Sequence, residues 1–430
     1  MKSVKELVAA AELAKKRGKS CTTNAEKVAA YAEIELLILD VDANLAKEGT
    51  NQKLEDLKNE LSTLSRSINL SYVKRKQSSF MKMINKIDEV IRLIAVWLIL
   101  AISSVFMAIP CIILSPMDFV LYHLGVISVY QQLSVRVKLF IARLILKCSG
   151  IHVEINGLQK ESFGKECVLA CFSHSSSMDA FLLTGAIPVT ALTVCKSELF
   201  LIPYFSWHIS AFGGVPINRG NRDQAVKSME AAASAAKLGE CMAISPEGTR
   251  SKSGQLLPFK KGPFHLWEQL QTPLIPIVTL GAFELYPPGC SMSNPGKVYM
   301  RFLAPILPCE ASTREEMSVL LRRRMLESFL HVPDDVAAEL TWPQRVSCWL
   351  NLLGVYGATF CLYRYVPYGT FRVKFGISVA QAWGVWGVLS IVMTLLFYAY
   401  AVYCAPIVRT MYAKTRDRVN HTIKDIKKRD

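Results

Sequence analysis

An imidazole and a carboxylate stand five positions apart in Ser173-His174-Ser175-Ser176-Ser177-Met178-Asp179. On one continuous helix, side chains at that separation diverge by about 140°. His174 therefore belongs to the turn before a helix, with Ser175–Ser177 available as caps and Asp179 in the first turn, reaching back. A carboxylate so placed holds one ring nitrogen protonated and leaves the other free to take a proton from a hydroxyl. A lone histidine is more often structural, and His208, His265 and His331 are read that way.

A second polar block, Ser245-Pro246-Glu247-Gly248-Thr249-Arg250, lies about seventy residues on. Its glycine permits close approach, its hydroxyl donates, and its arginine presents a planar fork suited to phosphate. Gly213-Gly214-Val215-Pro216-Ile217-Asn218-Arg219 precedes it. Pro258-Phe259-Lys260-Lys261-Gly262-Pro263-Phe264 and Pro273-Leu274-Ile275-Pro276 follow.

These blocks sit at the ends of short apolar runs of β-prone residues: Cys167–Phe172, Ala191–Val194, Cys241–Ile244, Leu274–Thr279 and Val298–Phe302. Helical patterns, among them Asp223–Lys237 and Glu315–Phe329, are interspersed with or follow the runs. Such alternation predicts an α/β domain, a mixed sheet flanked by helices, over about residues 149–335.

Taken together and in this order, the four blocks resemble the glycerolipid acyltransferase family typified by 1-acylglycerol-3-phosphate acyltransferases, over about residues 165–305. The family's pattern is N-H-x4-D, then a glycine-to-arginine block, then F-P-E-G-T-R, then a proline-bearing strand. Ser173 stands where Asn is usual and Ser245 where Phe is usual; neither change removes a reacting group. The resemblance implies an acyltransferase fold, with His174 as general base and Asp179 as its orienter. It implies that Arg219, Glu247, Gly248, Thr249 and Arg250 hold the phosphoglycerol head, with Lys260 assisting. Leu274, Ile275, Pro276 and Ile277 would shape the acyl-donor side.

The implied reaction moves a fatty acyl group from acyl-CoA to the free hydroxyl of a lysophospholipid, with lysophosphatidate as first expectation. Glycerol 3-phosphate, another lysophospholipid and transacylation remain open, as does a non-catalytic membrane scaffold of the same fold. Direct attack on a thioester suits a His/Asp pair without an enzyme nucleophile. Base assistance to a weakly acidic hydroxyl is worth roughly 10²–10⁴-fold. The growing charge on the thioester oxygen then needs fixed donors. Acyl-CoA is a co-substrate; no cofactor and no metal are expected.

The 430-residue chain is 51% apolar, with 50 Lys and Arg against 35 Asp and Glu, a net charge of +15. Its mean hydropathy is +0.26. Disorder is excluded by that apolar content, which points instead to membrane segments with positive charge outside them. Both expected substrates are anionic, so the charge suits steering and docking to acidic membrane lipids. No basic-aromatic module suggests nucleic acid. Twelve cysteines without a C-x-x-C pair read as reduced thiols rather than a zinc site.

Leu93–Leu114 is an uncharged run of 22 residues, about 33 Å as a helix and enough to cross a bilayer core of about 30 Å. Val346–Tyr363 and Phe375–Val408, 18 and 34 residues, predict a second pair of spans. Basic residues before the first run and after the last favour a cytosolic N-terminus and tail. No early apolar region suggests a secretory signal. Lys427 and Lys428, fourth and third from the end, match the dilysine signal of endoplasmic-reticulum membrane proteins.

The expected organisation is a helical or coiled-coil arm over 1–80, membrane-anchoring helices over 81–148, the acyltransferase domain over 149–335, a transmembrane hairpin over 336–410 and a basic cytosolic tail over 411–430. Within the arm, Leu54, Leu57, Leu61, Leu64 and Ile68 repeat at three and four, as do Ile34, Ile38, Val41 and Leu45. The arm carries no expected chemistry. Val135–Lys147 reads as an amphipathic helix approaching the membrane surface. Neither the oligomeric state nor the acyl-chain preference follows from the sequence.

Overall fold

The computed structural model describes residues 4–48, 51–68, 79–106, 132–163, 167–202, 213–218 and 241–365, with scattered positions elsewhere. Three helices open the chain: α1 (Val4–Ser20), α2 (Asn24–Glu48) and α3 (Gln52–Ser67). They are followed by α4 (Ser79–Phe106) and α5 (Leu133–Cys148). The sheet then forms from β1 (Ile151–Asn156), β2 (Leu169–Phe172), β3 (Ala191–Lys196), β4 (Gly214–Ile217), β5 (Cys241–Ile244), β6 (Leu274–Leu280) and β7 (Gly296–Phe302). Helices α6 (Asp179–Ala186), α7 (Gly262–Leu270) and the short α8 (Ala282–Leu285) lie between strands. Helices α9 (Arg314–Phe329) and α10 (Trp342–Tyr365) follow them.

The seven strands are ordered β1-β7-β6-β2-β5-β3-β4. Strands β6, β2, β5, β3 and β4 run parallel. The β7 strand opposes β6, with β1 parallel to β7. Strands β2, β5 and β6 are buried along their whole length, which explains their unbroken apolar sequence. At one edge, β1 alternates as Ile-His-Val-Glu-Ile-Asn and is mostly half-buried; no continuous apolar run announces it.

Alternation along β2 divides the core. Leu169 and Cys171 face one layer with Phe264 and Trp267 of α7 and Met317 and Leu321 of α9. Ala170 and Phe172 face the other, with Leu182 and Leu183 of α6. The helix after β2 thus packs on one face, and the helix after the neighbouring β5 on the opposite face. Chains leaving two adjacent parallel strands in opposite directions open a crevice at their carboxyl ends. Both polar blocks of the sequence fall there.

The arm is a three-helix layer whose seam of Leu7, Ile34, Leu54 and Leu61 is inaccessible to solvent. It continues the core on the α7–α9 side rather than standing away from it. Helices α4, α5 and α10 form another layer around Ala95, Ile99, Ile145 and Leu352. Buried Arg92 ties α4 down, pairing with Asp88 at 2.8 Å and donating to the carbonyls of Ser149 at 2.9 Å and Ser293 at 2.6 Å. The α5 helix is seated on α6, Arg143 donating to the Gly185 carbonyl at 2.9 Å, with Phe140 left exposed.

No helix among the described residues is long and apolar enough to cross a membrane. The predicted span Val346–Tyr363 falls within α10, which does not reach that apolarity; Leu93–Leu114 continues past α4 into residues outside the described set, Phe375–Val408 lies almost wholly outside it, and the basic tail lies outside it entirely.

Candidate active site

Helix α6 begins at Asp179, and the six residues between it and the end of β2 form the turn. The His174 Nδ1 atom lies 2.7 Å from Asp179 Oδ2. The same oxygen accepts the backbone N–H groups of Ser175 and Ser176, each at 3.0 Å. With three donors converging on one oxygen, Nδ1 carries the proton and Nε2 is left with its lone pair. Asp179 is 2% exposed and the His174 side chain 23%, so the pair has a buried orienter and a reachable base. The Phe172 ring meets the imidazole edge-on at 5.6 Å. Ser176 Oγ accepts from the Met178 N–H at 3.1 Å and donates to the Tyr286 carbonyl at 2.8 Å. Ser173 Oγ accepts the Thr279 N–H at 3.1 Å, joining the ends of β2 and β6.

The loop after β5 folds onto this turn from the neighbouring strand. Glu247 is buried, and its two oxygens accept separate backbone donors: His174 N–H at 2.7 Å and Leu257 N–H at 2.8 Å. Burial pushes its carboxyl up to about 8, against the opposing pull of those two donors. The buried side chain therefore braces the histidine's backbone from inside the loop. Ser251 N–H donates to the His174 carbonyl at 2.8 Å, so both backbone groups of the histidine are held by the second loop.

Thr249 and Arg250 turn outward and are exposed. Arg250 Nη1 reaches Ser177 Oγ at 2.5 Å, which fixes the guanidinium over the histidine turn. Gly248 has φ +68°, and a Cβ built there would stand 3.1 Å from Lys260 Cγ. The lysine stem thus lies over the glycine, while its own N–H donates to the Pro246 carbonyl at 2.7 Å. Exposed Lys260 and Arg250 gather positive charge on one rim of the crevice.

The structure thus brings together His174, Asp179, Glu247, Gly248, Thr249, Arg250 and Lys260. Arg219 lies outside the described residues. Leu274, Ile275, Pro276 and Ile277 are interior positions of β6, paired with β2 from Leu169 to Phe172. The same strand reaches the crevice further along, at Thr279 and Leu280.

Beside His174 opens a small cleft lined by residues of both loops and of neighbouring elements. Several of its lining residues carry no motif. Phe283 and Glu284 come from α8; Glu284 is 3% exposed, and burial pushes its carboxyl up to about 7. Its one sequence signal was a single acid inside the apolar stretch Leu274–Leu285. Val28, Tyr31 and Ile68 of the arm also line the cleft. Nothing local marks them out, because they look like ordinary seam residues.

Residues 152–280 match the family model described as Acyltransferase. The Saccharomyces cerevisiae 1-acyl-sn-glycerol-3-phosphate acyltransferase is 29% identical over 41% of this chain and 57% of its own length. For the Cocos nucifera enzyme of the same name the figures are 28%, 52% and 69%. The human beta enzyme is 30% identical over 43% of this chain and 66% of its own. The match therefore spans less than two thirds of the yeast and human relatives. The crystal structure of the Thermotoga maritima 1-acyl-sn-glycerophosphate acyltransferase PlsC superimposes with a TM-score of 0.45 at 24% identity, covering 57% of this chain and 95% of that one. Residues 152–280 thus match the Acyltransferase family model, and this part of the chain resembles the glycerolipid acyltransferases that the 1-acyl-sn-glycerol-3-phosphate enzymes typify.

Proposed function

We propose that this protein transfers a fatty acyl group from acyl-CoA to the free hydroxyl of a lysophospholipid, with lysophosphatidate as acceptor and phosphatidate as product. The observation that carries this reading is the His174–Asp179 contact of 2.7 Å, with the Arg250 guanidinium held by Ser177 of the same turn at 2.5 Å.

In this mechanism Nε2 of His174 takes the proton of the acceptor hydroxyl as its oxygen attacks the thioester carbonyl carbon. Collapse of the tetrahedral adduct breaks the carbon–sulfur bond, and the departing thiolate recovers the proton from Nε2. The products are an ester and free CoA thiol, with no acyl-enzyme. Cys171, next to the site on β2, is fully buried, and burial holds its thiol well above the ordinary range; it is suited to packing, not to nucleophilic attack. Arg250 and Lys260, with Arg219, bind the acceptor phosphate. Glu247 acts on the reaction through the backbone of His174 rather than through the substrate.

The same reading puts the protein on a membrane. Met83, Ile87, Val90, Ile94 and Trp97 form one exposed face of α4, and Trp342, Trp349 and Leu353 are exposed on α10. Exposed apolar faces with tryptophan suit a lipid interface. The distribution of basic residues along the chain favours a cytosolic side for the catalytic domain.

The test is acyl transfer by the full chain in detergent, with labelled acyl-CoA and a panel of lysolipids, beside His174→Ala. Transfer to lysophosphatidate that falls by about 10²–10⁴-fold in the variant is expected. Equal rates in both proteins, with the variant folded, would break the base assignment.

A further inference from the structure

The loop that braces His174 is itself aimed by side chains from outside residues 152–280. Glu247 takes the His174 N–H on one oxygen at 2.7 Å and the Leu257 N–H on the other at 2.8 Å. That N–H and the Leu256 carbonyl belong to one planar peptide, so they point in opposite directions and turn together. Groups that fix the carbonyl therefore aim the N–H at Glu247.

Two side chains fix that carbonyl. Tyr31 Oη, on α2, donates to it at 2.8 Å, and Arg322 Nη2, on α9, reaches the same oxygen at 3.3 Å. Arg322 Nη1 donates to the following carbonyl, Leu257, at 2.9 Å. The guanidinium is held in turn by Glu35 of α2 at 2.6 Å, whose other oxygen accepts Ser65 Oγ of α3, also at 2.6 Å. Gln255 Nε2 donates to the Ser65 carbonyl at 2.7 Å, which ties the segment to the arm one residue earlier. Tyr31 and Leu256 are both buried, where a hydrogen bond meets little competition from water and an unmade one is costly. Both α2 and α9 lie outside the residues that match the family model.

We propose that Tyr31 and Arg322 are positioning residues for catalysis, setting His174 through the Leu256–Leu257 peptide and Glu247. This rests on the acyl-transfer reading above. A tilt of that peptide withdraws the donor from one oxygen of Glu247; the side chain shifts, and the His174 N–H on its other oxygen shifts with it. The ring is carried along with its backbone, and a misplacement of about 1 Å at a reacting group costs as much as 10²-fold in rate. Neither side chain has an assigned contact with substrate, so turnover falls while substrate binding is left alone.

The experiment uses the full chain in detergent with labelled acyl-CoA and lysophosphatidate. Tyr31→Phe removes one oxygen and keeps the packing. Arg322→Lys keeps a cation for Glu35 but loses the planar fork that reaches both carbonyls. Each is expected to lower kcat by about fivefold, the net contribution of one hydrogen bond, with both KM values within about twofold of wild type. Asp40→Asn weakens the Asp40–Arg323 pair at 2.8 Å, which joins the same two helices away from the 256–257 peptide. It is expected to loosen the arm and leave kcat unchanged. Glu247→Gln removes one of the two acceptors. In that background Tyr31→Phe is expected to lower kcat by less than about twofold more, because the path is already cut.

Equal kcat in Tyr31→Phe, Arg322→Lys and wild type would overturn the proposal. So would an undiminished loss of about fivefold from Tyr31→Phe on top of Glu247→Gln, or a loss in Asp40→Asn as large as in Tyr31→Phe. Either marks a general loosening of the fold rather than transmission through one peptide. If Arg322→Lys does not fold, Tyr31→Phe decides, since it removes a single atom. Wild-type protein that transfers no acyl group from any donor would instead overturn the acyl-transfer reading, and the positioning role with it.

Discussion

The two faces of the sheet end very differently. On the α7–α9 face the core continues through α9 into the arm, and the joint is closed by polar locks: Glu35 with Arg322 at 2.6 Å and Asp40 with Arg323 at 2.8 Å. On the α6 face the layers run outward through α5 to α4 and α10, where tryptophans and aliphatics remain exposed. The cleft lies along the seam. Its base and orienter come from the β2–α6 turn, while the β5 loop that braces them is itself held from the arm side. On the proposed reading one face serves chemistry and lipid contact, and the other rigidity and shape. Ion pairs suit a permanent joint because their geometry is fixed; bare apolar surface suits a reversible one because its attraction is non-directional.

That division can be broken by separating activity from stability. Asp179→Ala on the α6 side is expected to lower kcat by about 10²–10⁴-fold through loss of the ring's orientation. A steady-state assay beside a thermal melt checks it; near-normal turnover would remove Asp179 from the reaction. On the opposite side, Arg322→Ala strands Glu35 and two carbonyls. Both partners are about one-sixth exposed, so a loss of about 2–4 kcal/mol in denaturant unfolding is expected, at the low end for a broken buried pair. No loss of stability would mean that the arm is not locked.

Glu284 sharpens the comparison through pH. Its carboxyl sits at about 7 in the folded chain against an ordinary 4.5, because burial disfavours the charge. The folded state therefore keeps a proton that the unfolded chain releases. The resulting stability is complete below about pH 4.5 and is lost as pH rises through about 7. Glu247, raised for the same reason, adds in the same direction. Stability is expected to fall across that window, and Glu284→Gln to remove about 3 kcal/mol of the fall at its alkaline end, read by denaturant unfolding. An unchanged slope in the variant would place the titration elsewhere.

The smallest effect on folding is expected from the open side. Trp349→Ser with Leu353→Ser should leave stability within about 0.5 kcal/mol, since both side chains are already exposed. Binding to vesicles of mixed neutral and acidic phospholipid should nevertheless weaken by about tenfold. Unchanged vesicle binding would show that this face is not where lipid is met.

Much of the scaffold is legible in the sequence. The buried strands β2, β5 and β6 are continuous apolar runs, and a run of that kind has few other places to go in a folded chain. The edge strand β1 escaped because half-burial leaves polar residues in it. At the site, the spacing of His174 and Asp179 required a turn before a helix, and that turn is present. Glu247 was different: its residue type suits head-group binding and backbone bracing equally, and only the position of Leu257 N–H and His174 N–H distinguishes them. Leu274–Ile277 read as a strand correctly, but which of its residues reaches the cleft depends on where β6 ends beside β2.

What the sequence determined by itself was local: where strands and helices lie, which loops carry ionisable and donor groups, and how one histidine is set against one carboxylate. These follow from periodicity and from spacings of a few residues, which the chain's own geometry enforces. Only the tertiary structure decided that adjacent strands send their helices to opposite faces and so open the crevice. It alone decided that Tyr31 and Ile68 line the cleft beside His174, more than one hundred positions along the chain. Such neighbours are chosen by how layers pack, and a seam residue looks the same in sequence whether it meets another helix or the wall of a cleft.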